Sequence, residues 1–330
     1  MSTNDATRLT LLDVTKRTNP DQSAAQVVEL LSQQNEMLDD IPFVEGNLPT
    51  GNQTTMRTEL PDVWFRTLNK GVPGSKSTTA QIVDTCGIIE GFSEVDEEVL
   101  AINGMAAAYR TGEDNSFVEA MNQKFMNAFI YGNAVTDPEQ WNGLAPRYDD
   151  INDAAIADFM IDAGGSGSTD NTSIWLVGWS PDKVAGIYPR GQMGGLKVED
   201  LGRRVTTDAS GNKMMVWTSH FIWKAGVMVR DYRYVVRIHS IDVSDLTYNA
   251  ATGARLQDLM VQALERLQGL VGVTPVFYCN RRIRSTLRRQ LLQANNLQLS
   301  WEQLAGRRTL MFGEAAVRLN DAILNTEISY

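Results

Sequence analysis

The segment from about Pro49 to Gly91 constrains the fold more than any other. Strand-like pieces TTMRTEL at 54–60 and VWFRTL at 63–68 precede a tip near 69–76, and STTAQIVDTCGIIEG follows at 77–91. Runs of β-branched and aromatic residues broken by Pro61, Gly71, Pro73 and Gly74 read as two long strands joined by a turn. The result is a ribbon with no helical pattern close by in sequence to cover its faces. A two-stranded ribbon alone is marginal in water. It therefore packs on another subunit or belongs to a sheet closed elsewhere.

Around it, helices and strands alternate without a βαβ rhythm and without an internal repeat. Asn19 and Pro20 form a helix start, and Ala24, Val27, Val28, Leu31 and Leu38 follow a helical stripe, so a helix is expected over 20–38. Residues 113–131 carry Phe117, Met121, Phe125, Ala128 and Phe129 on one face of a central helix. A second is expected over 151–163 from Ile151, Ala155, Phe159 and Ala163. Residues 174–240 read as mostly β, with a turn at Asp208 to Asn212. Helical spacing returns over 253–270, then a strand at Val273 to Tyr278, a basic helix over 280–293, and strands at 308–312 and 315–319. The pattern is α+β in one continuous topology.

Composition narrows the function. The 330 residues are 43% hydrophobic, enough for a real core, and hold 40 acidic against 30 basic side chains, a formal charge of -10. Gripping a phosphate backbone over the whole surface needs the opposite sign. Two cysteines, Cys86 and Cys279, do not build a disulfide fold, and two histidines leave little for metal or imidazole chemistry. No signal peptide and no apolar run of membrane-spanning length is present, so folding in a cytoplasm is expected.

The candidate chemical motifs are weak. GVPGSKS at 71–77 has Ser75 before Lys76 and its first glycine one position too close for a phosphate loop. The glycine run at 164–168 does not follow the dinucleotide-binding pattern. Asp96-Glu97-Glu98 and the aspartates 149, 150 and 153 read equally as cation ligands or as solvated turns. No GxSxG elbow occurs, and His220 and His239 sit in apolar strands. No catalytic, cofactor-binding or metal residue is assigned. The strongest local feature is basic: Arg281, Arg282, Arg284, Arg288 and Arg289 with an apolar stripe of Ile283, Leu287 and Leu291. This helix faces phosphate or pairs with carboxylates across a subunit boundary; the surrounding acidity favours pairing.

Read in order, the segments resemble the major capsid proteins of tailed bacteriophages, whose fold is shared with the herpesvirus capsid floor. The likeness runs through LTLLDVTKR at 9–17, the ribbon at 60–84, NQKFMNAFIYGNAVTDPEQWNGLAPRY at 122–148, SIWLVGWSPDKVAGIYPRGQMGGL at 173–196, RYVVRIHSID at 233–242, FYCNRRIRSTLRRQL at 277–291 and VRLNDAI at 317–323.

The resemblance implies an N-terminal arm over 1–45, an extended loop with its flanks over 46–90 and a peripheral domain with a spine helix over 91–165. A mainly axial domain spans 166–307, and return strands to the peripheral domain span 308–330. It implies a non-enzymatic subunit without cofactors that assembles into hexamers and pentamers, closing an icosahedral head around double-stranded DNA without reading its sequence. A separate scaffolding protein, a decoration protein and a portal would be partners, with no membrane involved. The place of action would be the virion, with assembly in the bacterial cytoplasm. Leu12, Val27, Leu31, Trp64, Arg66, Lys76, Arg281, Arg284 and Arg288 become interface candidates. Gly132, Trp141, Gly143, Pro146, Pro189 and Gly191 become turn and packing residues. The competing readings are another virion component, such as a decoration, portal or tail protein, and an α+β enzyme.

Overall fold

The computed structural model describes residues 32–101, 106–165, 169–208, 210–246, 255–291, 299–304 and 307–328. In chain order the elements are a single helical turn α1 (Met37–Asp40), β1 (Phe43–Glu45), β2 (Gly51–Glu59), β3 (Thr78–Asp96), α2 (Glu97–Ala101), α3 (Ala106–Tyr131), β4 (Met160–Asp162), β5 (Asn171–Trp179), β6 (Val184–Tyr188), β7 (Leu196–Thr207), β8 (Lys213–Val229), β9 (Val235–Asp242), α4 (Leu256–Arg266), β10 (Thr274–Cys279), α5 (Arg281–Leu291), β11 (Leu299–Leu304), β12 (Arg307–Phe312) and β13 (Ala315–Leu319).

Two sheets organise them. The first runs β1-β6-β8-β3-β2, with β7 also paired to β8. Its backbone is the long antiparallel match of β3 to β8, from Cys86↔Gly226 to Asp96↔Val216. Helix α3 lies on one face of this sheet. Phe125 stacks on Trp223 at 4.2 Å between ring centroids and Phe117 on Phe221 at 5.7 Å. Gly91 makes room for the contact, since a Cβ there would stand 3.2 Å from the Phe117 ring.

The second sheet runs β11-β12-β13-β10-β5-β9-β4. Its centre is apolar on both faces. Ile174 and Leu176 point into a core with α4 and α5, whereas Trp175, Val177 and Trp179 point into the core that contains α3. Period-two side chains buried alternately on both sides give a continuous apolar run rather than an alternating one.

Several expectations hold among the described residues: α3 covers 113–131, α4 and α5 fall at 256–266 and 281–291 within the spans 253–270 and 280–293, 174–240 is rich in β structure, 208–212 turns, and the two late strands are present. Others do not. The helix expected over 20–38 lies mostly outside the described residues, and 32–36 are not helical. Their backbone pairs instead with the 319–321 segment, through Glu36 N–H to Leu319 O and Asp321 N–H to Gln34 O. The helix expected over 151–163 is a series of turns, a short 3-10 helix and β4. The Asp150 and Asp153 carboxylates accept from the N–H groups of Asn152 and Ala155, so side chains take donors a helix would need. Its apolar residues Ile151, Ile156 and Phe159 still pack on the core. VWFRTL at 63–68 is not a strand, because β2 ends at Glu59 and nothing pairs beyond it. β7 and β11 were not anticipated. β12 and β13 both lie in the second sheet, where β13 pairs with β10 in parallel from Val276↔Ala316 to Cys279↔Leu319.

Candidate functional site

The ribbon is real in its inner half and open beyond. β2 and β3 pair from Gly51↔Thr85 to Arg57↔Thr79, then shift register to Glu59↔Thr78. Residues 60–77 form a loop closed by Ser75 Oγ donating to Asp62 O at 2.7 Å and by Thr78 Oγ1 donating to Glu59 Oε2 at 2.7 Å. Asn69 turns the chain with a positive φ of 65°. The loop carries large apolar side chains in solvent: Val63, Phe65 and Leu68 are 88%, 108% and 92% exposed. Leu60, Trp64 and Val72 are exposed beside them, as are Arg66 and Lys76. Arg57, Arg66, Lys70 and Lys76 outnumber Glu59 and Asp62 there, in a chain of net charge -10. Contiguous exposed apolar surface of this kind marks a surface meant for a partner. Arginine and lysine around it suit an acidic one.

The root of the ribbon is close-packed. A Cβ on Gly87 would stand 2.8 Å from the Trp141 ring, and one on Gly46 would stand 2.3 Å from Gly51 O. Trp141, buried, belongs to the turn that follows α3. That turn returns the backbone onto the helix end, through Gly143 N–H to Gly132 O at 2.7 Å and Leu144 N–H to Phe129 O at 3.0 Å. Side chains are excluded there, because a Cβ on Gly143 would lie 2.8 Å from the carbonyl oxygens of Ala128, Phe129 and Ile130. Pro146 sits in the 3-10 turn Ala145–Arg147. Pro189 is buried, and Gly191 turns with a φ of 75°.

The basic helix is less free than its composition suggests. Arg281 makes two hydrogen bonds to Asp321, at 2.8 and 2.7 Å, and Arg284 lies 3.4 Å from Glu36. Burial pushes the Asp321 carboxyl up, but Arg281 and the Gln34 N–H pull harder, so it titrates below the usual range. Within this chain the carboxylates facing Arg281 and Arg284 are those of Asp321 and Glu36. Ile283 and Leu287 are buried beneath. Arg288 stands with Arg289 at a hollow of about 390 Å³ shared with Gln34, Ser285 and Leu319. Leu12, Val27 and Leu31 lie outside the described residues.

Other sequence candidates resolve into local structure. Among the described residues no group of three or more His, Cys, Asp or Glu side chains is placed to hold a metal ion. Glu97 pairs with Arg203, and the Asp96 side chain accepts from Glu98 N–H. His220 stacks on Phe92 at 4.5 Å and lies 2.6 Å from Glu90. Among the described residues no helix is long and apolar enough to cross a membrane.

A feature not visible in the sequence pattern joins the end of α3 to the second sheet. Glu327 is buried against Arg237 (3.0 Å), Ser173 (2.8 Å) and the Tyr131 hydroxyl at the end of α3 (2.5 Å). Burial, then the Glu327 charge, raise the Tyr131 hydroxyl well above its ordinary range, so it stays protonated and donates. The one available signal was Arg237 itself, a charge in the middle of an apolar strand.

The model of the family described as Major capsid protein GP7 matches residues 19–329. The chain belongs to that family. This capsid protein is also similar to a chain in the near-atomic cryo-EM structure of bacteriophage Epsilon15. The two share 30% identity with a TM-score of 0.74, over 100% of this chain and 99% of that one. The capsid chain of bacteriophage JBD30 shares its fold alone, with a TM-score of 0.51 at 8% identity over 89% of this chain and 93% of that one. No match is found among curated proteins. As a major capsid protein, the chain is a structural subunit that assembles with copies of itself into the icosahedral head shell of a phage.

Proposed function

We propose that each subunit lays the 60–77 loop over a neighbouring copy, and that this reach knits hexamers and pentamers into a shell around double-stranded DNA. The observation that carries the reading is the group of exposed large side chains Leu60, Val63, Trp64, Phe65, Leu68 and Val72 on a loop whose charge opposes that of the rest of the chain. Burying such side chains at about 25 cal/mol per Å² drives association. In this reading the α3-bearing sheet is the peripheral domain and the second sheet with α4 and α5 is the axial domain. The 1–31 segment serves as an arm, and scaffolding, decoration and portal proteins join the assembly in the bacterial cytoplasm. The net charge of -10 suits a container that holds DNA without gripping it.

The test is to replace residues 60–77 by a tight turn and count particles by negative-stain electron microscopy. The shortened subunit is expected to fold, since the loop contributes nothing to either core, and to close no shells. Normal shells from that variant would overturn the reading.

A further inference from the structure

Arg147 touches three parts of the molecule at once. Its Nε donates to Gly143 O at 3.1 Å, and its Nη2 lies 3.1 Å from Asn142 O, both in the turn after α3. The same Nη2 lies 3.4 Å from Val227 O on β8 and 2.8 Å from Asp84 Oδ1 on β3. Asp84 is 2% exposed, and its Oδ2 is buried without a hydrogen bond. Among the described residues Arg147 is the cation paired with it.

This placement is mechanical. Asp84 pairs with Asn52 in register at the point where the ribbon leaves the body. Asn52 is itself buried, with its amide 3.0 Å from the Met228 sulfur. Thr78 to Asp84 spans about 20 Å of paired strand at roughly 3.3 Å per residue, so a tilt of about 10° at the root moves the outer end by about 3 Å. A buried ion pair adds little net stability, because desolvation offsets most of the attraction. A planar guanidinium with several fixed acceptors supplies direction instead. The close backbone approaches at Gly132 and Gly143 hold the turn that presents it.

We infer that Arg147 is a positioning residue for assembly: by fixing Asp84 to the end of the long helix, it sets the angle at which the ribbon projects. The inference rests on the ribbon reading above. Two measurements keep them apart. Spin labels on cysteines introduced at Thr79 and Asn127, in a Cys86→Ser background of the full chain, report the ribbon's angle to α3. The parent is expected to give one narrow distance distribution. Arg147→Ala is expected to broaden it at least about twofold and to lower closed-shell yield about tenfold, with near-ultraviolet circular dichroism retained. Arg147→Lys, which keeps the charge and loses the fork, falls between.

A merely structural residue would move the dichroism and leave the folded fraction's distances narrow; that result overturns the inference. Unchanged distances in Arg147→Ala overturn it, and so does broadening with native shell yield. Failure of the loop replacement to abolish shells would sink the ribbon reading while leaving the distance result standing.

Discussion

Strands β5 and β9 and the 60–77 loop carry similar apolar residue types and end in opposite environments. Trp175, Leu176, Val177, Val235 and Val236 are fully buried inside this chain, whereas Val63, Phe65 and Leu68 stand in solvent. The difference is the number of covered faces. The second sheet has a core on each side, supplied by α3 on one and by α4 and α5 on the other. The loop has none. One region completes its hydrophobic burial within the subunit, and in the proposed reading the other completes it on a neighbouring copy.

Three substitutions probe that contrast, in falling order of effect on the subunit. Trp175→Ala empties a fully enclosed site and should destabilise the chain by about 3–5 kcal/mol in chemical denaturation. A cost near 1 kcal/mol would mean that the centre of the second sheet is less tightly filled than its neighbours imply. Glu327→Gln leaves the Arg237 charge buried without its carboxylate and should cost about 3 kcal/mol. A cost within about 0.5 kcal/mol would remove this joint between α3, β5 and β9 from the account. Phe65→Ser should leave the melting of unassembled subunits unchanged within about 0.5 kcal/mol while reducing shell yield. A clear loss of subunit stability would show that the loop already packs on its own chain.

How much of this was readable follows from the same contrast. β5 is legible because burial on both faces leaves the unbroken apolar run 174–179, and β9 because Val235, Val236 and Ile238 mark a strand in spite of Arg237 and His239. β7 was not, since LKVEDLGRRVTT is largely exposed and a bulge between Asp200 and Gly202 breaks its alternation. VWFRTL reads as a strand because its apolar residues look like core, although in the folded chain they are exposed and pair with nothing. The place of the ribbon was therefore visible, but its fastening was not. Arg147 and Asp84 stand far apart in sequence, in segments whose patterns give no hint that they meet. The basic helix is legible in the sequence, but its pairs with Glu36 and Asp321 are not, because those residues come close to it only after folding.

The pairing of the 34–36 segment with the 319–321 segment has a temporal consequence. The Glu36 carboxylate that caps Leu319 N–H lies 283 positions earlier in the chain. At a synthesis rate of about 5–20 residues per second, that separation corresponds to tens of seconds on the ribosome. Throughout that interval the Glu36 carboxylate lacks its Leu319 N–H donor, and α3 has no Glu327 to hold its end. Translation acts as a clock: a nascent chain already displays its sticky loop long before the segment that fastens α3 to the second sheet has been made.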